Sequence, residues 1–168
     1  MESTVEEVLD MAALIERKVA GIYRSFKKSF GSDVMAGYLW ESLANEEDGH
    51  AEFLEAQKKL VKTSGRAVVM INISVLRESL EAVEKYEKLM EKGGLTNKDA
   101  VRIALDIENS MLEKNHNILV GTDSPVLTKI FKQFSDTTAH IEKLRVAAEK
   151  LGVGVPAPSG AGRAEGLL

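Results

Sequence analysis

Glu47 and His50 sit three residues apart in the run Leu39-Trp40-Glu41-Ser42-Leu43-Ala44-Asn45-Glu46-Glu47-Asp48-Gly49-His50. On an α-helix that spacing sends both side chains out from one face. The face should be the buried one, because Leu39, Leu43, Glu47, His50, Leu54 and Val61 recur at helical intervals. A carboxylate and an imidazole therefore stand where leucines would be expected. A buried charge is costly unless it is paired or bound to a metal. Taken alone, the pair reads more readily as a hydrogen-bonded polar couple in a core. The rest of the chain shifts that balance.

Three further stripes carry the same kind of intruder. Val5, Val8, Ala12, Glu16, Val19, Tyr23, Phe26 and Phe30 form the first, with Glu16 as its one charged member. Val101, Ala104, Glu108, Met111, Asn115 and Leu119 form another, interrupted by Glu108. Leu127, Ile130, Phe134, Thr137, His140, Leu144, Ala148 and Leu151 form the last, interrupted by His140. The chain thus repeats itself: Glu16 precedes Glu47 and His50 by nearly the interval at which Glu108 precedes Thr137 and His140. One position breaks the repeat, a threonine where a second Glu-x-x-His would have its glutamate. Three carboxylates in one low-dielectric space repel and require protons, cations or a metal. No Lys or Arg lies on any of the four stripes.

The elements that would hold these residues can be placed from capping and breaking signals. Thr4 and Glu7 make a capping box at the start of a first helix that Gly31 ends. Ser32 or Asp33 caps a second, Val34 to Lys62, and so short a turn makes the two antiparallel neighbours. Val68 to Ile73 has strand propensity, but no partner strand is evident, so it is expected to be extended chain leading to an amphipathic helix that ends near Lys92, before Gly93-Gly94. This stretch reads as a long crossover. Thr96 with Asp99 starts a third main helix, closed by Gly121; Ser124-Pro125 starts a fourth, expected to run unbroken to Gly152. The expected architecture is all-α, a four-helix bundle with a helical crossover between the second and third helices, over residues 1–151. Residues 152–168, rich in Gly, Pro and Ala, read as a flexible tail.

Composition narrows the function classes. The 168 residues are 44% hydrophobic and 29% charged with three prolines, which suits one helix-rich domain. With no cysteine there is no thiolate metal site and no iron–sulfur cluster. A net charge of −4 offers no basic field to nucleic acid. No apolar run is long enough for a membrane span, and the acidic start, Glu2, Glu6 and Glu7, is unlike a signal peptide. The expected compartment is the cytoplasm.

A Glu from each of two helices with Glu-x-x-His from two others is the di-metal carboxylate arrangement, and its oxygen and imidazole donors suit iron, then manganese. The run Ile15-Glu16-Arg17-Lys18-Val19-Ala20-Gly21-Ile22-Tyr23 resembles the first helix of the rubrerythrin and ferritin-like family. Leu43 to His50 resembles its second, Ala100 to Glu108 its third and Phe134 to Leu144 its fourth. The resemblance covers about residues 5–151. It implies a ferritin-like bundle with a non-haem di-iron site and a peroxide- or dioxygen-reducing or iron-oxidising activity. The ligands it implies are Glu16, Glu47, His50, Glu108 and His140, with Tyr23 and Thr137 beside them. Thr137 departs from the pattern by lacking a carboxylate, and Asp136 is a candidate substitute. Asn115 stands where a tyrosine is common. Lacking cysteine, the chain carries no rubredoxin-type domain, so redox turnover needs an external electron donor. Two unequal metal sites follow, the tighter at Glu16, Glu47 and His50. Two other readings stand beside this one: a metal-poor bundle with a structural or interaction role, and an iron-storage subunit. A homodimer is compatible with any of them. Glu46, Asp48 and His116 read as solvated surface.

Overall fold

The computed structural model describes residues 2–63, 68–70, 73–121, 124–132 and 137–154. It is all-α apart from one short ribbon. The helices are α1 (Val5–Phe30), α2 (Val34–Thr63), α3 (Ser74–Glu91), α4 (Asn97–Gly121), α5 (Pro125–Lys132) and α6 (Thr137–Leu151). The ribbon joins β1 (Glu2–Thr4) to β2 (Val68–Met70), antiparallel, with Ser3 opposite Val69. The expected unpaired extended segment is therefore corrected: its partner is the first few residues of the chain, too short and too polar to announce a strand.

Capping sets the helix ends much as the residues imply. The Thr4 hydroxyl accepts from the Glu7 N–H at 3.1 Å, and the Glu7 carboxylate accepts from the Thr4 N–H at 2.8 Å. Asp33, and not Ser32, caps α2: its Oδ1 accepts from the N–H groups of Met35 and Ala36. Thr96 and Asp99 exchange the corresponding bonds at the start of α4. At the end of α6, Val153 N–H donates to Ala148 C=O and Gly152 N–H to Glu149 C=O. This is a Schellman closure, and it puts Gly152 at φ 63°, where a Cβ would be strained. Val153 is buried by it, so the packed chain reaches one residue past the point where a tail was expected. The expected fourth helix is described over its two parts, α5 and α6, and its continuity through 133–136 lies outside the described residues.

The α1–α2 hairpin is the largest packing unit. Ion pairs Asp10–Lys58, Arg17–Glu55, Arg24–Asp48 and Lys27–Glu41 run in opposite senses along the two helices, which shows them antiparallel. Exposed pairs such as these contribute little to stability. The stronger term is apolar burial: Leu9, Ile15, Ile22, Phe26, Trp40, Leu43 and Leu54 are all under 2% exposed. Each contributes roughly 1.5–3 kcal/mol. Helix α4 packs on α6, while α1 also meets α3 and α4. Lys18 of α1 reaches Glu87 of α3, and Tyr86 of α3 donates to Asp106 of α4. Inner faces of α1, α2, α4 and α6 thereby come to one interior. No helix among the described residues is long and apolar enough to cross a membrane.

Candidate metal centre

In that interior lie the polar residues that interrupted the apolar stripes. Glu16 from α1, Glu47 from α2, Glu108 from α4 and His140 from α6 are buried to between 2 and 4% exposure. His50, one turn beyond Glu47, is a quarter exposed through its side chain. All five expected ligands are thus brought together. They form two triads, Glu16–Glu47–His50 and Glu47–Glu108–His140, and within each the donor atoms lie within 4.8 Å of one another. Glu47 belongs to both.

The geometry within the triads is specific. His50 Nδ1 lies 3.2 Å from Glu47 Oε2 and 3.6 Å from Glu16 Oε2. His140 Nδ1 lies 3.0 Å from Glu47 Oε1 and 3.4 Å from Glu108 Oε1. One imidazole therefore faces each oxygen of Glu47, and the two rings stack with centroids 5.5 Å apart. Both histidines present the same nitrogen to the carboxylates.

Around His140 the chain adds a second layer of contacts. Its Nε2 lies 2.8 Å from Glu46 Oε2. Glu46 is itself fixed by Lys143 Nζ, at 2.5 and 2.7 Å, and by the Ser42 hydroxyl at 2.7 Å. Glu46 was expected to be solvated surface; this corrects that reading. The available signal was the pairing of two short spacings, Ser42 with Glu46 on α2 and His140 with Lys143 on α6. A carboxylate on the far nitrogen fixes which nitrogen carries the proton and leaves Nδ1 the better donor to a metal. On the opposite side, Tyr23 O–H donates to Glu108 Oε1 at 2.6 Å, so Tyr23 touches the site while its ring packs on Trp40. The side chain of Thr137 and the whole of Asp136 lie outside the described residues, as do the side chains of Asn115 and His116.

Burial and proximity set the charge state. Burial pushes the Glu16 carboxyl well above the usual range, and the adjacent Glu47 carboxylate adds to that. Burial acts on Glu47 in the same sense, but hydrogen bonds from Glu16, His140 and His50 overcome it and hold Glu47 far below the usual range. Burial also raises Glu108, and repulsion from Glu47 adds to that, with hydrogen bonding from His140 and Tyr23 opposing. Desolvation disfavours both imidazolium ions, yet the surrounding carboxylates outweigh it and raise His50 and His140 to about 10. The positive half that the stripes lacked in Lys and Arg is thus supplied by protonated histidine.

Whether a metal fits can be judged from the donors. Glu16 Oε2 is buried with no hydrogen-bond partner among the described residues. Such an orphaned carboxylate oxygen is costly, and a cation beside it would remove the cost. Five oxygen and imidazole donors without sulfur match iron or manganese. The residues present fit such an ion. No family model, curated protein or solved structure matches this chain.

Proposed function

We propose that the chain is a ferritin-like four-helix bundle of rubrerythrin type that binds two iron ions through the two triads. With electrons from an external donor, it acts as an oxidoreductase on peroxide or dioxygen. The observation that carries this reading is the pair of triads sharing Glu47, with Glu16 Oε2 lacking a hydrogen-bond partner among the described residues. Bound iron would supply one-electron chemistry and a Lewis-acidic site for the oxidant. Glu16, Glu47 and His50 would hold one ion; Glu47, Glu108 and His140 the other. Manganese meets the same donors and is the second choice of metal.

The chain's own residues have distinct tasks in this reading. Glu47, the carboxylate common to both triads, would help to hold both ions. Glu46 keeps His140 oriented and Lys143 keeps Glu46 ionised; burial opposes that ionisation, but hydrogen bonds from Lys143 and Ser42 hold its carboxyl below the usual range. The Tyr23 hydroxyl, its oxygen 2.6 Å from Glu108 Oε1, holds its proton on that carboxylate. The apolar packing of Trp40, Phe26 and Leu43 excludes water from one end.

Anaerobic titration with Fe(II), followed by equilibrium dialysis, tests the proposal. Two ions per chain are expected, with oxidation on adding peroxide. No saturable uptake of Fe(II) or Mn(II) would overturn it. A metal-poor structural bundle is the second reading, and it has its own support: two imidazolium ions already balance the buried carboxylates. That reading expects the same melting curve with and without metal.

A further inference from the structure

We infer that the His50 triad is the entrance to the metal centre, and that the inner triad of Glu47, Glu108 and His140 fills and empties only through it. The inference rests on the metal reading and adds the order in which the chain's own residues admit ions. Glu16, Glu47, Glu108 and His140 are buried to between 2 and 4% exposure, whereas the His50 side chain is 24% exposed. Glu16 Oε2 lies 3.6 Å from His50 Nδ1 and has no hydrogen-bond partner among the described residues. Beside the exposed ring there is thus an oxygen that gains by taking a cation. Glu47 then spans the step inwards: its Oε2 is 3.2 Å from His50 Nδ1 and its Oε1 is 3.0 Å from His140 Nδ1.

Among the described residues, the other approaches to the inner triad are closed. A groove of about 940 Å³ separates α2 from α6, and Ser42, Glu46 and Lys143 line it. There Ser42 and Lys143 hold Glu46 against His140 Nε2, and the Lys143 ammonium repels an arriving cation. On the α1 side, Tyr23 donates to Glu108 Oε1 and packs on Trp40, and both rings are fully buried. On the α3 side, Val83 and Ile107 are each 3% exposed, and the cavity they share with Tyr86 and Asp106 is about 30 Å³. That is room for about two waters, less than the shell of a hydrated divalent ion.

Rates of Mn(II) uptake by the full chain, and of its release to a chelator, test this. His50→Ala and His50→Phe both delete the outer imidazole, but the first widens the opening and the second plugs it. Each should retain one ion at similar affinity, with uptake and release in the Phe variant both at least about tenfold slower than in the Ala variant. Mere loss of a ligand would not separate the two. Lys143→Met, which removes the cation on the groove side, should give inner-site uptake no faster than in the natural chain. In the natural chain, exchange of radiolabelled Mn(II) from the inner triad should slow as free unlabelled Mn(II) is raised, because an occupied outer triad bars the way. That measurement decides the matter even where His50→Phe fails to fold. Equal rates in the Ala and Phe variants, faster uptake in Lys143→Met, or exchange indifferent to free Mn(II) would each overturn the inference while leaving two bound ions, and so the metal reading, in place. Uptake of one ion or none by the natural chain would overturn both.

Discussion

The two triads share one carboxylate and differ in nearly everything around it. On the His140 side the ring is clamped at its far nitrogen by Glu46, itself held by Lys143 and Ser42, and Glu108 receives the Tyr23 hydroxyl. On the His50 side the ring is partly open to solvent and Glu16 keeps an oxygen with no hydrogen bond among the described residues. An ionised partner at the far nitrogen orients an imidazole and strengthens it as a metal donor. In the proposed reading this support would favour tighter binding at the His140 triad. The missing carboxylate at Thr137 argues for the opposite order, with the tighter ion at Glu16, Glu47 and His50, and metal titration decides between the two.

The sharpest way to break the comparison is to remove what the triads share. Glu47→Ala should abolish uptake at both, exceeding the roughly 10–100-fold that loss of an outer partner costs. Anaerobic Fe(II) titration should fall from two ions to none. Retention of one tight ion would mean the triads are independent.

Glu46→Gln should separate them. It keeps the shape but removes the carboxylate charge facing His140 Nε2, so the His140 site should weaken by about 10–100-fold while the other barely moves. Equal weakening of both would remove the asymmetry.

Acidity gives an effect common to both sides. In metal-free protein the folded pKa of His50 and His140 is raised from 6.5 to about 10 by the carboxylates around them. Their contribution to stability is therefore complete below pH 6.5 and lost as pH rises towards 10. Glu16, also raised, acts with the same sign. The metal-free melting temperature should fall across that window, while saturating metal, which needs bare nitrogens, should bind better. A metal-free curve that is flat or rising between pH 6.5 and 10 would contradict this charge assignment.

The smallest effect is expected from Tyr23→Phe. It deletes one hydrogen bond to a buried carboxylate and should cost about 1–2 kcal/mol by denaturant unfolding. The His50 site should keep its affinity, and a loss confined to that side would invert the comparison.

What could be read from the residues followed their periodicity. Glu16, Glu47, His50, Glu108 and His140 stood out because each interrupts an apolar stripe, and a stripe is a one-dimensional pattern. Glu46 did not stand out: its role depends on α6 lying across from α2, a distance in space that no spacing along the chain encodes. The same holds for the groove and for the ribbon, where three residues at the start meet three near position 69. Capping signals were local, and Thr4, Asp33, Thr96 and Ser124 act as their types dictate.

The ribbon has a further consequence for how the hairpin holds together. Helix ends fray, and the open end of α1–α2 lies farthest from its connecting turn. Pairing β1 with β2 ties that end shut through main-chain bonds, and Thr4 is at once the last ribbon residue and the cap of α1. Clasp and cap are one residue. Amide exchange in the first turns of α1 and the last turns of α2 should therefore rise together when the first four residues are removed, as though a zip had lost its stop.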